Sequence, residues 1–458
     1  MSRTIGDHPA HQAKRATSDT ARDHSLIIVA TPSKAFVFSR HLVSRAGIAY
    51  LSTLFVAGFV TNFIPIISFN TGTLLLFSLS FFLSLLGLVQ LFNPYPRLVG
   101  IATFATFAVT GLIVLKAVID TNPPSQRVQE LLIYVLGGWP LLFFIQIDNS
   151  KTRERFIRTI IVGLFCLCVF GIVQGVLGSS LPEKLFLLRG DAPFTVGEDQ
   201  WRPTGLTGNP ITFASILTFA SSLFFALWLE KRRLRFLFAL LCSFVANYLT
   251  YSRASLALLV PLLAVVWLLH HRFRRRQVLV ALFSLVLIAA AAAFLLFNAT
   301  DLLVVQILTN SSEGTQGSTL VHMMTIQDAR EVIAGHPFSG VGVGSQGNSV
   351  GPENAIITDG AWWILMLEFG VPLSIVFVIL LILVLIPVGK FVLRRDSKER
   401  TLAIAILAFH AYLFPACFIN SAILGHISFG LYWAVLGLSI AAASNRTSVA
   451  ISTGLSRG

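Results

Sequence analysis

Long apolar runs recur along nearly the whole chain, with short polar stretches between most of them. Most runs are about 17 to 25 residues long, enough for a helix to cross roughly 30 Å of bilayer hydrocarbon. The pattern therefore predicts an all-α, polytopic membrane protein with about twelve transmembrane helices. Their predicted bounds are 46–69, 72–92, 98–119, 128–147, 157–178, 210–229, 235–250, 254–270, 277–297, 361–388, 402–423 and 427–443.

The same boundaries divide the chain into five segments. A polar, basic tail with the composition of a disordered segment precedes the first helix. Nine helices follow, interrupted by a polar loop at 179–209. A larger and partly helical loop then separates them from the last three helices and a short tail. The five segments are 1–45, 46–297, 298–360, 361–443 and 444–458.

The basic residues follow the predicted helix boundaries. The chain carries 34 lysines and arginines against 21 acidic residues, a formal net charge of +13. No basic groove with stacking aromatic residues is evident, so nucleic acid is not an expected partner. If the amino terminus is cytoplasmic, 27 of the 34 lie on the cytoplasmic side, as the positive-inside rule requires. We therefore predict a multi-pass protein of the inner (cytoplasmic) membrane, with both termini in the cytoplasm and both long loops outside.

One arginine interrupts the apolar pattern, Arg253 in the stretch YLTYSRASLALL. A charge at the bilayer centre costs roughly 2.5 to 3.5 kcal/mol on insertion scales, so its position needs a reason. The predicted topology places Arg253 in the short outer turn between the seventh and eighth helices. There it could cap helix carbonyls or reach the lipid headgroups. Alternatively, its guanidinium could clamp a phosphate in a bidentate way.

A second arginine on the outer face, Arg202, lies in the stretch WRPTGLTGNP of the first long loop. The stretch ends in Asn209-Pro210, which opens the next predicted helix. A proline in the first turn and free amide groups make a helix start that can attract an anion. Arg202 and Arg253 are therefore candidate ligands of an anionic substrate.

The second long loop contains a short amphipathic pattern that predicts a helix at 320–334. The stretch GHPFSGVGVGSQG follows, at 335–347. It lacks the lysine followed by Ser or Thr that a nucleotide P-loop requires. We interpret its glycines as allowing tight backbone turns against a ligand or a neighbouring helix, and His336 as structural.

Two carboxylates, Glu353 and Asp359, come shortly before the tenth predicted helix. An aspartate in this position is typical of a helix cap. Alternatively, a carboxylate at the membrane surface can act as a general base that takes a proton from a sugar hydroxyl. Trp362 and Trp363 follow at a place where interfacial aromatic residues are common.

The order of these motifs resembles the O-antigen ligase and polymerase superfamily of bacterial envelope glycosyltransferases. The shared features are an arginine-containing Gly-Asn-Pro segment, Ser252-Arg253, the loop stretch HPFSGVGVG, and a polar pair followed by LMLEFG. The likeness covers roughly 200–375. It implies a metal-independent transferase without a cofactor, which acts at the periplasmic face on glycan linked to undecaprenyl diphosphate. The resemblance also assigns Arg253 to the diphosphate, since members place the arginine of the Ser-Arg motif there.

Two positions depart from the ligase pattern. Ligases carry a catalytic His-Asn or His-Ser pair before the glycine that ends a Glu-x-Gly element, and that glycine is Gly370 here. At the same distance before Gly370, counted without gaps, this chain has Asp359-Gly360. The arginine that members often carry at the start of the loop helix falls at His322, although Arg330 on the same stretch could replace its charge. An aspartate can deprotonate an acceptor hydroxyl as well as a histidine can. We therefore favour a polymerase of O-antigen or exopolysaccharide repeat units over an O-antigen ligase.

The predicted site combines catalytic residues with ligands of the diphosphate and glycan. The four cysteines lie within apolar runs without zinc-ligand spacing, so no metal site is predicted. Predicted partners are an undecaprenyl-diphosphate-linked donor, a glycan or lipid A core acceptor, the lipid bilayer, and other polysaccharide assembly proteins. A secondary transporter is the alternative from another class, although carriers usually place ionisable residues near the midplane. The catalytic candidates are Asp359, Glu353 and Arg253, and the binding candidates are Arg202, Arg253, His322 and Arg330.

Overall fold

The computed structural model of the protein describes most of its long helices and part of its loops. All described residues belong to one compact unit, 43–458. They are 44–55, 82, 97–120, 122–124, 127–128, 131, 134–135, 138–147, 149–182, 195–196, 200–271, 312–345, 360–393, 399–420 and 426–454.

Apart from turns and loops, the described part of the chain is helical, with one small antiparallel ladder in which β1 (Thr195–Val196) pairs with β2 (Gln200–Trp201). This confirms the all-α class. Residues 44–55 are also helical. The principal helices are α1 (Arg97–Ile119), α2 (Pro140–Phe144), α3 (Ser150–Leu177), α4 (Pro210–Lys231), α5 (Leu234–Leu249), α6 (Arg253–His271), α7 (Ser312–Gly335), α8 (Ala361–Leu393), α9 (Arg400–Ala416) and α10 (His426–Gly454).

Five of the described helices are long and apolar enough to cross a membrane. The predicted total of about twelve remains a prediction, because much of 56–96 and all of 272–311 lie outside the described residues. The five candidate spans are Gly100–Ile119, Ser150–Ser180, Pro210–Lys231, Ala254–His271 and Ala361–Leu393.

Several predicted boundaries shift in the structure. The loop helix predicted at 320–334 is the longer α7, which begins at Ser312. The last helix was predicted to end at 443, but α10 continues to Gly454 and includes most of the predicted carboxy-terminal tail. Helix α8 is broken inside the predicted span, because Gly370 adopts φ 77° and ψ 164°. This break lies at the end of the LEFG element.

Helix α4 is at the centre of the described bundle, and 78% of its spanning window is buried. It packs against α5, α6 and α9. Small residues allow these close approaches, and the buried hydroxyls of α4 find partners on or beside neighbouring helices. Ser221 shares a hydrogen bond of 2.8 Å with Ser243, and the Asn247 amide donates to Thr218 at 3.0 Å. These contacts tie the middle of α4 to the carboxyl-terminal half of α5, the helix that ends just before Arg253.

Candidate functional site

A tight turn joins α5 to α6 and places Arg253 at the first position of α6. Tyr251 in this turn has φ 54°, a left-handed conformation that is uncommon for a residue other than glycine. The turn is held by local bonds, from Thr250 Oγ1 to the Asn247 carbonyl at 2.6 Å and from the Leu256 amide to the Ser252 carbonyl at 3.0 Å. The strained turn therefore sets where the backbone of Arg253 lies. The side chain of Arg253 is outside the described part of the structure.

A buried chain of hydroxyl groups supports this turn from below. Ser252 Oγ donates to Ser255 Oγ at 3.1 Å, and Ser255 Oγ lies 3.0 Å from the Tyr412 hydroxyl. The same hydroxyl lies 3.1 Å from Ser215 Oγ. Buried hydroxyls are costly unless they are hydrogen-bonded, so this network is a specific link rather than incidental packing. It ties the start of α6 to α9 and α4.

The structure brings Arg202 to the same turn. Its Nε donates to the Thr250 carbonyl at 2.8 Å, three residues before Arg253. Capping of the α5 carbonyl end was one of the two roles considered for Arg253, and here Arg202 makes such a bond. A cation at this position also suits the helix dipole. The two segments that carry the predicted phosphate-binding arginines are thus in direct contact.

The chain just after Arg202 is held by a buried glutamine. Gln174 on α3 donates from Nε2 to the Gly205 carbonyl at 3.3 Å and accepts from the Gly205 amide at 2.8 Å. Gly205 has φ 57°, and a Cβ there would lie 2.4 Å from the Phe213 ring. Glycine is therefore required for this close approach. Gln174 was not among the predicted site residues, although a glutamine within an apolar run is a detectable signal.

The start of α4 differs from its predicted role. The Asn209 side chain accepts from the amides of Ile211 and Thr212 at 2.8 and 3.2 Å, and Pro210 has no amide hydrogen. The prediction of free amides at this helix start is therefore wrong, because the capping asparagine occupies them.

The glycine-rich stretch after α7 packs on the break in α8. The Val341 amide donates to the Leu367 carbonyl at 2.7 Å, and the Val371 amide donates to the Pro337 carbonyl at 2.9 Å. A Cβ on Gly340 would lie 2.4 Å from the Leu367 oxygen. Of the two predicted roles for these glycines, the structure shows close contact with a neighbouring helix. We call residues 336–345 the glycine turn.

Polar side chains from two other regions also hold the glycine turn. Buried Glu368 accepts from the Gly344 amide at 3.2 Å and from the Tyr134 hydroxyl at 2.8 Å. On the other side, Asp120 accepts from the Val343 amide at 2.6 Å, and Asn122 donates to the Val343 carbonyl at 3.1 Å. None of these four polar residues was predicted as a site residue. The signal for Glu368 was its place as an acidic residue inside an apolar run.

The remaining predicted residues are placed only in part. Glu353 and Asp359 lie outside the described residues, and only the backbone of His322 is described. Arg330 is exposed on α7. Just after Asp359, the Ala361 and Trp362 amides donate to the carbonyls of Asn420 and Cys417, each at 3.1 Å. The start of α8 is thus fixed against the end of α9.

A mostly apolar cavity of about 120 Å³ lies beside the start of α8. Its walls come from α8, α9, α10 and Tyr134, and His410 contributes a polar group paired with the Tyr432 hydroxyl. Ile382 both lines the cavity and is 53% exposed, so the cavity is open at the outer surface of the helices. Among the described residues, no group of three or more His, Cys, Asp or Glu could hold a metal ion.

Residues 238–378 match the Wzy_C family model, which is described as O-antigen ligase. A comparison with curated proteins gives no match. The matched segment runs from α5 into α8 and contains Ser252-Arg253, the glycine turn and Glu368. It confirms the resemblance that the sequence motifs indicated. This segment of the chain is therefore similar to the O-antigen ligase family.

Proposed function

We propose that the protein is a membrane glycosyltransferase that takes glycan from an undecaprenyl-diphosphate donor at the periplasmic face. We further propose that it joins O-antigen or exopolysaccharide repeat units end to end. The observation that carries the proposal is the 2.8 Å bond from Arg202 Nε to the Thr250 carbonyl. It joins the two arginine-bearing segments at one turn of a bundle whose family acts on lipid-linked glycans.

The proposed orientation rests on charge. With the active turn outside, 27 of the 34 lysines and arginines lie on the cytoplasmic side together with both termini. The turn at 250–253 and the glycine turn then lie on the periplasmic side of the inner membrane. A polyprenyl-linked donor would present its diphosphate at that level.

In the proposed reaction, an acceptor hydroxyl oxygen attacks the anomeric carbon of the donor sugar. The bond from that carbon to the phosphate oxygen breaks, and undecaprenyl diphosphate leaves with the electron pair. Asp359 takes the hydroxyl proton, with Glu353 as the other candidate base. Arg253 stabilises the negative charge that develops on the leaving diphosphate, because a guanidinium can pair with phosphate oxygens in a bidentate way. Arg330 and His322 would contact glycan or phosphate on the loop side.

The hydrocarbon part of the donor needs an apolar surface close to this chemistry. The cavity beside the start of α8 supports the proposal, since Ala361 in its wall lies two residues after Asp359. Ile382 leaves one side of the cavity open to the surface of the helices. A lipid chain could therefore enter from the surrounding bilayer.

The second candidate function is ligation of finished polysaccharide to lipid A core. The description of the matching family model favours it. The aspartate at 359, where ligases carry histidine, favours the polymerase. Both reactions release undecaprenyl diphosphate and differ only in the acceptor.

The test is reconstitution of the full chain in lipid with a defined undecaprenyl-diphosphate oligosaccharide. We expect longer glycans from the wild type and none from Arg253→Ala. Arg155→Ala is the matched control, because Arg155 is exposed on α3 and outside the proposed site. Addition of lipid A core separates the acceptors, since a ligase would label the core instead. Solute flux across sealed vesicles without any new glycosidic bond would overturn the proposal in favour of a transporter.

A further inference from the structure

The junction between α4 and α5 carries a dense group of exposed cations. Four of the six residues at 230–235 are basic, and all four side chains are exposed. Within the described part of the chain, none of the four forms an ion pair or donates a side-chain hydrogen bond. Glu230 is the one carboxylate of this segment. We call residues 230–235 the basic turn, and its cations are Lys231, Arg232, Arg233 and Arg235.

Aromatic rings hold two of these cations in place. The Arg232 guanidinium lies 5.2 Å from the centroid of the Trp228 ring, and that ring stacks on Phe225 at 5.8 Å. The Arg235 guanidinium lies 4.9 Å from the centroid of the buried Phe236 ring. A cation above an aromatic face is attracted by the quadrupole of the ring. Two guanidinium groups of the basic turn are therefore positioned while their side chains stay exposed.

The backbone conformation of Arg232 is a second indication of function. Arg232 follows α4 with φ 50° and ψ 29°, in the left-handed region where glycine is the usual residue at a helix end. A residue other than glycine is strained there, and such strain is concentrated at functional sites. Glycine would serve the fold at least as well at this position. The arginine therefore points to a ligand for its charge.

An exposed apolar strip begins inside the same turn. Leu234 lies between Arg233 and Arg235 and is 79% exposed. Further exposed apolar side chains follow on α5 at intervals of three or four residues, which places them on one face of the helix. A soluble anion would not use this strip, whereas a phospholipid carries its phosphate joined to hydrocarbon chains. The apolar strip consists of Leu234, Phe238, Leu241 and Val245.

We propose that the basic turn binds the phosphate of an acidic phospholipid, whose hydrocarbon chains lie along the apolar strip. Guanidinium groups match phosphate oxygens, and anionic lipid attracts basic segments beside membrane helices. A zwitterionic lipid carries a compensating cation, so an acidic lipid fits four cations better. The positive-inside rule alone requires neither the cations over rings nor the strained arginine. In the proposed orientation the turn lies at the cytoplasmic leaflet, so the site is independent of the proposed transfer reaction.

The first test is native mass spectrometry of the full chain, titrated with phosphatidylglycerol or with phosphatidylcholine of the same acyl chains. We expect the wild type to bind phosphatidylglycerol more tightly. In Arg232→Gln/Arg233→Gln, this affinity should fall about 10- to 30-fold, because two arginines beside the headgroup are lost. Lys151→Gln/Arg155→Gln is the matched control, since it removes the same charge from exposed positions of α3 on the same predicted side. An unchanged affinity in the first variant, or an equal loss in the control, would overturn the proposal.

Arg232→Gly separates a ligand role from a structural one. Glycine adopts φ 50° without strain, so the melting temperature in detergent without acidic lipid should stay equal or rise. The affinity for phosphatidylglycerol should nevertheless fall about 5-fold, because one guanidinium is lost. A lower melting temperature with unchanged lipid affinity would show that Arg232 serves the fold, and would overturn its assignment to a lipid.

Two further arms distinguish a lipid from a soluble anion. Leu234→Gln keeps all four cations but interrupts the apolar strip, so it should weaken the binding of phosphatidylglycerol. Inorganic phosphate in large excess should compete only weakly with the lipid, because it has no hydrocarbon to place on the strip. Full displacement by inorganic phosphate, or unchanged lipid affinity in Leu234→Gln, would overturn the lipid as the ligand.

Discussion

Substitution of Gly370 tests whether the glycine turn can pack against α8 only because the helix is broken at a glycine. Gly370 has φ 77° and ψ 164°, a region that is essentially restricted to glycine. A Cβ at this position would lie 2.3 Å from the Phe338 oxygen and 2.6 Å from its carbonyl carbon. Gly370→Ala therefore forces either the helix or the turn to move.

The expected cost follows from two contributions. An alanine in this backbone conformation costs about 1 to 3 kcal/mol. Displacement of the turn also breaks the bonds from Val341 to Leu367 and from Val371 to Pro337, each worth about 0.5 to 1.5 kcal/mol. The sum is about 2 to 6 kcal/mol. A loss of 2 kcal/mol corresponds to roughly 30-fold faster opening at 25 °C.

The assay is hydrogen–deuterium exchange at the Val341 amide, with Gly389→Ala as the control. Gly389 lies on the same helix, and an added Cβ there meets nothing within 4 Å. In the interior of a helix, alanine is more favourable than glycine by about 1 kcal/mol. Gly389→Ala should therefore be neutral or slightly stabilising. Equal exchange rates at the Val341 amide in the two variants would refute the claim that the break at Gly370 allows the turn to pack against α8.

Three further substitutions test the parts that position the arginine segments, each read as a melting temperature of the purified protein. Gln174→Leu should destabilise the protein by about 2 kcal/mol or more, because the buried backbone groups of Gly205 lose their partner. Gln327→Leu is the control and should be near neutral, because Gln327 is exposed. Equal shifts of the melting temperature in the two variants would contradict this role of Gln174. Tyr412→Phe should cost about 1 to 3 kcal/mol, because it removes the hydroxyl that lies between the buried Ser215 and Ser255. The control Tyr248→Phe should have little effect, because Tyr248 is exposed. An unchanged melting temperature in Tyr412→Phe would argue against the hydroxyl network. Asn209→Ala should cost about 0.5 to 2 kcal/mol and Asn209→Asp much less, since aspartate also caps; an equal loss in both would show that capping is not its role.

Hydrophobic periodicity was sufficient to predict the all-α class and the approximate place of the described helices. The length of an apolar run does not reveal contacts within it, however. The break at Gly370 depends on a backbone from a distant loop, and α7 extends further than its short apolar pattern indicated. The prediction of free amides at the start of α4 failed because it did not take into account that the Asn209 side chain caps them.

The charged residues of the candidate site were predictable, because charges are rare within and beside the apolar runs. Arg202 and Arg253 stood out as outer-face charges, and their segments do meet in the structure. The residues that hold these segments were harder to identify, because Gln174 and Tyr412 act through partners far away in sequence. A single sequence shows polar residues in apolar runs, but it does not show which of them are paired.

The most direct test of the central claim measures the ratio of undecaprenyl diphosphate released from a glycan-linked donor to new glycosidic bonds formed. The proposed chemistry requires one diphosphate released for each bond formed. We expect this ratio for the wild type, and a large loss of both products in Arg253→Lys, because a lysine cannot reproduce a bidentate contact with phosphate oxygens. Full release and transfer by Arg253→Lys and Arg253→Ala, at wild-type rates, would contradict the account.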